Sequence, residues 1–326
     1  MKAIGIILAG GNNNRMKELT AKRAVPALPV AGSFRAIDFS LSSMSNSHIQ
    51  TVAILTQYNA RSLNEHLSSS KWWNFGRKQG GLFLFTPTVT ADNSDWYRGT
   101  ADAMYQNIDF LKRRHEPYVI ISSGDCVYKL DFNRVLDFHI EKKSDITVVC
   151  KDMMYNDDVS RFGVVRMDEE SRITEFDEKP IEALSNTIST GIYVIRRRQL
   201  IELLEAAAEE NRFDFVNDIL VRYKNVKKIY GYKINSYWNN IADIDAYFKT
   251  NMDFLRPDIR SYFFREEPTI CSKVDDLPPA KFNPGSDISN SLVSSGCIIN
   301  GRVEDSVLFK QVFVGKNTTV KNCVIL

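Results

Sequence analysis

A chain of 326 residues that is 44% hydrophobic and 25% charged has ordinary globular composition, and its length predicts about two domains. With 42 basic and 40 acidic residues the net charge is +2, which supplies no global field to attract nucleic acid or a membrane surface. No run approaches the ~18 apolar residues of a membrane span, and the short apolar run after Lys2 breaks at glycines instead of forming a secretory leader.

Residues 4–8 are apolar and β-rich, and they break into Ala9-Gly10-Gly11-Asn12-Asn13-Asn14-Arg15. A buried strand running into a glycine-rich turn is how α/β proteins open a phosphate site. Glycine reaches φ > 0 and lets backbone N–H groups approach an anion, and Arg15 adds a fixed charge with fork geometry. The turn is neither a dinucleotide fingerprint nor a P-loop, so on its own it serves equally as a tight strand-to-helix connection without a ligand. Further strands are predicted over 51–56, 118–122, 146–150, 163–167 and 191–195, and helices over 100–113, 132–142 and 199–209. This alternation predicts an α/β fold with a mostly parallel, doubly wound sheet over residues 1–256. Ligands of such sheets sit beyond the carboxyl ends of the strands, where Gly10-Gly11, Gly124-Asp125 and the region after Gly191 fall. Arg196-Arg197-Arg198, the densest basic run, is expected on a solvated helix start and not on a nucleic-acid patch.

Prolines 257, 268, 278, 279 and 284 punctuate a connector over 257–285. Beyond it, Leu308, Val314, Val320 and Leu326 recur every six residues, and Leu292 and Ile298 share that step. A hexapeptide period marks one face of a triangular coil, which predicts a parallel β-helix over 286–326; a hairpin would place anchors every two residues. The two groups of anchors are out of phase, which predicts a corner insertion between Ile298 and Leu308. The sequence stops at Cys323-Val324-Ile325-Leu326 inside an apolar repeat, so further residues or another subunit are expected to cover that end. Cys126, Cys150, Cys271, Cys297 and Cys323 form no Cys-x-x-Cys pattern, so reduced thiols in a cytoplasmic protein are expected, with Cys297 and Cys323 packing as small hydrophobes.

Several segments carry a specific resemblance. They are Leu8-Ala-Gly-Gly11, Leu19-Thr-Ala-Lys-Arg-Ala24, Arg35-Ala-Ile-Asp-Phe39, Thr56-Gln-Tyr58, Trp96-Tyr-Arg-Gly-Thr-Ala-Asp-Ala103, Gly124-Asp125, Glu178-Lys-Pro180, Gly191-Ile-Tyr-Val194, Tyr237-Trp238, Pro278-Pro-Ala-Lys-Phe282 and Asn290-Ser-Leu-Val293. Together they resemble the ADP-glucose pyrophosphorylases (glucose-1-phosphate adenylyltransferases) among the sugar nucleotidyltransferases, across nearly the whole chain. The resemblance implies a Rossmann-like nucleotidyltransferase domain followed by a left-handed parallel β-helix. The reaction it implies joins ATP and glucose 1-phosphate into ADP-glucose and pyrophosphate, in the cytoplasm, for glycogen biosynthesis. Both reactants are anions, so catalysis is positioning and charge neutralisation, with Mg²⁺ on carboxylates and phosphates. By resemblance Leu8, Ala9, Gly10, Gly11, Gly99, Thr100 and Ala101 bind the nucleotide, with Arg15 and Asp125 catalytic and Asp125 on the metal. Glu178, Lys179, Ser189, Gly191 and Tyr193 bind the sugar phosphate. Singly, Asp125 reads as a helix cap, Lys179 as an exposed turn lysine and Thr100 as an N-cap.

The departures from the family pattern concentrate on the nucleotide and metal side. Asn13 stands where a third glycine is expected, Val25 where a phosphate-binding lysine is expected, and Asn240 where a second metal carboxylate is expected. Losing one preorganised charge contact costs about 10²–10³ in rate, so two additive losses would cost on the order of 10⁴. Asp243 is not expected to replace the lost carboxylate, since that needs a shifted register. The expectation is a regulatory, catalytically impaired subunit with weak or absent Mg²⁺ binding that pairs with a catalytic homologue as a heterotetramer. The alternatives are an active adenylyltransferase with a rearranged metal site and a stand-alone sugar-phosphate sensor. Lys22, Arg23, Arg35 and Lys281 are candidates for an allosteric effector site between the two domains, with solvated surface charge as the plain alternative. The loop from Trp72-Trp73 through Arg77-Lys78-Gln79-Gly80-Gly81 is expected to be mobile near the nucleotide mouth, its tryptophans serving as core or as subunit contact.

Overall fold

The computed structural model describes residues 2–11, 14–76, 80–89, 95–154 and 157–326. Strand Ala3–Leu8 lies in the middle of a nine-stranded sheet. It pairs in parallel with Thr51–Leu55 on one side and with Tyr118–Ser123 on the other, and Gly81–Phe85 adds a parallel edge beyond Thr51–Leu55. Side chains alternate across the strand, and both sets are buried. Ala3 and Ile7 pack under helices Ala36–Asn46 and Phe132–Glu141, while Ile4 and Ile6 pack under Thr100–Tyr105 and Arg197–Glu209. Burial on both faces explains why this strand reads as a continuous apolar run.

The other half of the sheet is antiparallel. Thr187–Arg196 runs against both Tyr118–Ser123 and Ile146–Asp152, and the hairpin of Gly163–Met167 and Ile173–Glu178 pairs onto it. Ile229–Lys233 restores a parallel edge against Ile146–Asp152. The sheet is therefore mixed, with Thr187–Arg196 as the strand where direction reverses.

Some elements depart from their predicted extents. The helix predicted over 100–113 is two, Thr100–Tyr105 and Ile108–Lys112. Asn107 lies at the break, where its Nδ2 donates to the Ala103 carbonyl at 2.9 Å and to the Tyr97 hydroxyl at 2.9 Å, competing with the backbone ladder. Helix Ala36–Asn46 is almost entirely buried despite four serines, three of them buried. Those hydroxyls reach neighbouring backbone, Ser40 to the Ser123 carbonyl and Ser42 to the Cys271 carbonyl, each at 3.1 Å. Trp73 is core, with its indole N–H on the Cys271 carbonyl at 3.1 Å. Gly81 opens the edge strand, and Arg77–Gln79 lie outside the described residues.

The connector begins as helix Pro257–Phe264, whose Phe263 and Phe264 join Phe34, Phe39, Phe254 and Tyr237 in an aromatic cluster. After it the chain winds into a left-handed parallel β-helix with three faces of three short strands each. Its interior holds Cys297, Ile299, Val303, Leu308, Val314 and Val320. Leu308, Val314 and Val320 keep the six-residue step. Val293, Ile299 and Ile325, not Leu292, Ile298 and Leu326, face inward; Ile298 is 39% exposed and Leu326 45%. Between Ile299 and Leu308 the step shrinks to four and then five residues through Val303, so the phase change is a shortened turn and not an insertion. Leu292 instead packs with Val307, Phe309 and Leu255, which seats the β-helix against the α/β domain.

Candidate active site

Two clefts open where the parallel strands end, and they meet at Ser123 and Asp125. The first, about 500 Å³, is lined by Leu8, Ala9, Gly10, Gly11, Gly99 and Thr100, together with Val25, Pro26, Gln57 and Tyr58. Ala9 N–H bonds the Leu55 carbonyl at 2.8 Å and Gly124 N–H bonds the Leu8 carbonyl at 3.0 Å, so the turn leaves the sheet in a fixed direction. Asn12 and Asn13 lie outside the described residues. Ala101 does not line the cleft; it is buried, with its N–H on the Phe213 carbonyl at 2.8 Å. Thr100 is the first helical residue and not a side-chain cap, since its hydroxyl accepts from Phe215 N–H at 2.8 Å. The quoted segments contained Gln57, Tyr58 and Trp96 but gave them no role: the Gln57 amide clasps the Tyr97 backbone at 3.0 and 3.2 Å, and Tyr58 and Trp96 stack beside the cleft, 5.7 Å apart and 14° from coplanar.

The second cleft, about 390 Å³, brings together Arg15, Asp125, Glu178, Lys179, Ser189, Gly191 and Tyr193 from four separate segments. A register shift in the pairing of Thr187–Arg196 lies between Ser189 and Tyr193, and Gly191 takes φ +74° there. This bulge turns the Ser189 hydroxyl onto the Tyr193 hydroxyl at 3.3 Å. Burial raises the Tyr193 phenol pKa, so it stays a neutral donor and acceptor. Glu178 is also raised, chiefly by burial, with the Lys179 ammonium at 3.2 Å opposing the shift. Arg161, Phe162, Val216 and Trp238 complete the walls. Trp238 is 3% exposed and its indole N–H has no hydrogen-bond partner among the described residues, which suits a ligand hydroxyl. Of these four the sequence marked only Trp238, within Tyr237-Trp238 and without a role; the others reach the cleft only through the tertiary fold.

Asp125 sits in the turn between Tyr118–Ser123 and Cys126–Tyr128, and no helix follows it to be capped. Its Oδ1 accepts from the Ser123 hydroxyl at 2.5 Å and from the Cys126 thiol at 3.5 Å. Strand Trp238–Asn240 pairs antiparallel with Cys126–Tyr128 and sets Asn240 opposite Cys126, beside Asp125.

Residues 4–256 match the nucleotidyl transferase family, and residues 278–326 match the GlmU-like C-terminal hexapeptide family. The chain is 39% identical over 320 residues to a glucose-1-phosphate adenylyltransferase of Clostridium acetobutylicum, covering 97% of this chain and 84% of that protein. It is 37% identical over 322 residues to the Bacillus subtilis protein of the same name, covering 98% and 84%. The chain belongs to the glucose-1-phosphate adenylyltransferase family.

Within that family frame, the positions that depart from the expected pattern have definite surroundings here. Val25 is 4% exposed and packs among Met16, Leu28 and Phe39, so the cleft wall where a lysine was expected is apolar. The Asn240 oxygen accepts from Ala242 N–H at 2.9 Å, and its Nδ2 donates to the Cys126 sulfur at 3.4 Å. The opposite flip would set two N–H groups against each other, so the amide orientation is chemically fixed. Asp243 caps helix Ile244–Asp253 through Ala246 N–H at 2.8 Å and pairs with Arg161, so it is committed elsewhere. The described residues contain no group of three or more His, Cys, Asp or Glu arranged to hold a metal. Asp125 is thus the one carboxylate beside this amide, and the amide is neutral with its oxygen engaged.

Of the four effector candidates, Arg23 and Arg35 line a separate cleft of about 300 Å³ between the α/β domain and the β-helix, with Lys273, Lys310, Glu65 and Asp275. Lys22 and Lys281 do not line it. Arg35 is anchored to the Ser62 carbonyl at 2.7 Å and hydroxyl at 2.9 Å. No helix among the described residues is long and apolar enough to cross a membrane.

Proposed function

We propose that this chain is a regulatory subunit of a glucose-1-phosphate adenylyltransferase in bacterial glycogen biosynthesis, with weak or absent catalysis of its own, and that it pairs with a catalytic homologue in a heterotetramer. The observation that carries this proposal is Asn240: its oxygen is spent on Ala242 N–H, and its amide N–H groups face Cys126 beside Asp125. A divalent cation at Asp125 meets a neutral amide there instead of a second carboxylate. The buried Val25 removes a cation from the phosphate side of the same cleft. The sugar-phosphate cleft keeps its charged and hydroxyl groups, which supports ligand binding without turnover. The basic cleft of Arg23, Arg35, Lys273 and Lys310 between the domains supports binding of an anionic effector such as a sugar phosphate.

The rearranged-metal alternative would need another carboxylate near Asp125, and the cap and Arg161 already hold Asp243. Pyrophosphate release from ATP and glucose 1-phosphate with Mg²⁺ tests the proposal, assayed on the chain alone and mixed with a catalytic homologue. The expected result is near-zero turnover alone and altered turnover or affinity in the mixture. Val25→Lys with Asn240→Asp should raise the turnover of the chain alone by about 10² or more. Robust turnover of the unaltered chain overturns the proposal. A stable assembly that responds to glucose 1-phosphate without any partner would instead make the chain a stand-alone sensor.

A further inference from the structure

We infer that Arg161 recognises the phosphate group of the sugar phosphate, with Asp243 positioning its guanidinium; this rests on the sugar-phosphate assignment of the second cleft. Arg161 lines that cleft on the side of Asn240 and Ala242, the end that adjoins Asp125 and the nucleotide cleft. A sugar phosphate whose ring reaches Glu178 and Tyr193 presents its phosphate at that end, because the phosphate oxygen must meet the nucleotide there. Arg15 lines the same cleft, and Asp158 lies 4.0 Å from the Arg161 Nε.

The Arg161 side chain is 29% exposed, in contrast to 64% for Lys179, so its charge is less screened by water. One Nη pairs with Asp243, itself 19% exposed. The Nε–H is buried with no hydrogen-bond partner among the described residues. A buried donor left unsatisfied is costly, so internal bonding alone does not select this position. The segment is tied to its neighbours: Phe162 N–H bonds the Val159 carbonyl at 3.0 Å, Lys179 N–H bonds the Phe162 carbonyl at 3.1 Å, and the Phe162 ring meets Trp238 at 5.6 Å. Asp243 thus holds one Nη of a guanidinium that lines the cleft, and a fork of this kind matches phosphate oxygens in pairs. Phosphate affinity then comes from fixed protein charge, so it persists without a divalent cation.

The test is titration of the full chain with glucose 1-phosphate in excess EDTA, beside methyl α-glucoside as the phosphate-free probe, both followed by NMR. Arg161→Gln should weaken glucose 1-phosphate about 10- to 100-fold and leave methyl α-glucoside unchanged. Arg161→Lys, which keeps the charge and loses the fork, should fall between. Equal affinity of wild type and Arg161→Gln for glucose 1-phosphate overturns the inference and leaves the cleft assignment standing. An equal loss for both probes also overturns it, since Arg161 would then only shape the cleft. A wild-type chain that binds neither probe overturns the cleft assignment, and the inference with it.

Discussion

At position 240 the difference between a carboxylate and an amide is one oxygen, and its surroundings have adapted to the amide. The Cys126 thiol, its pKa raised well above the usual range by burial and by Asp125, stays protonated, so it accepts from Asn240 while it donates to Asp125. A carboxylate at 240 would face that sulfur without a donor to share. The sequence marked positions 25 and 240 as departures, but not the reach of Asn240 to Ala242 and Cys126, which depends on strand pairing. The same limit hid Arg161, an ordinary residue until the fold brings it to the cleft, and hid the role of Trp238, which the sequence marked only within Tyr237-Trp238. Gly163 is a third case, and its role is steric. A Cβ there would stand 2.8 Å from the Phe176 ring and 2.9 Å from Glu178 Oε2. Gly163→Ala should therefore displace Glu178 and weaken glucose 1-phosphate about tenfold, a loss equal to one hydrogen bond to a charged group, with nucleotide affinity unchanged. Calorimetric titration with each ligand separately checks this, and parallel loss of both would contradict it.

Among the elements, legibility followed the period of the apolar pattern. The strand Ala3–Leu8 and the buried stretches 119–122 and 146–150 lie under helices on both faces and stand out as short, mainly apolar runs. Helix Ala36–Asn46 did not stand out, because serines whose hydroxyls bond distant carbonyls take the places of apolar residues. Direction was also beyond the pattern: nothing local distinguishes the reversing strand Thr187–Arg196 from its parallel neighbours. In the β-helix the six-residue step was legible, but its phase was off by one at Leu292, Ile298 and Leu326. At each of these places an adjacent apolar residue competes for the interior. Caps are the better-marked boundaries. Helix Phe132–Glu141 follows Asp131, whose carboxylate accepts from Asn133 N–H at 3.0 Å. Asp131→Ala should cost about 1 kcal/mol of stability, read as a lower urea midpoint with an unchanged slope.

Across the whole molecule, the clefts lie at the edges of a scaffold whose cooperative stability can be probed from one buried histidine. His139 is 1% exposed under the sheet, with Nδ1 on the Thr147 hydroxyl at 2.8 Å and no partner for Nε2 among the described residues. Burial lowers its pKa to about 4, and the Arg196 charge adds to the effect while Asp145 opposes it. In the unfolded chain the imidazole titrates near 6.5. Between those values the unfolded chain binds a proton that the folded chain refuses, so stability falls as pH drops from 6.5 toward 4. Above 6.5 both states are neutral and the contribution is constant. A gap of this size corresponds to roughly 3 kcal/mol across the window. His139→Gln removes the titrating group, so the fall in urea-unfolding free energy from pH 6.5 to 4 should be shallower by about that amount, even if the variant starts less stable. Carboxylates elsewhere with lowered pKa, among them Asp152 and Asp275, also weaken folding as pH falls, but they are about half exposed and contribute less. A wild type and His139→Gln variant with the same pH slope would place the acid sensitivity in those carboxylates instead of the core.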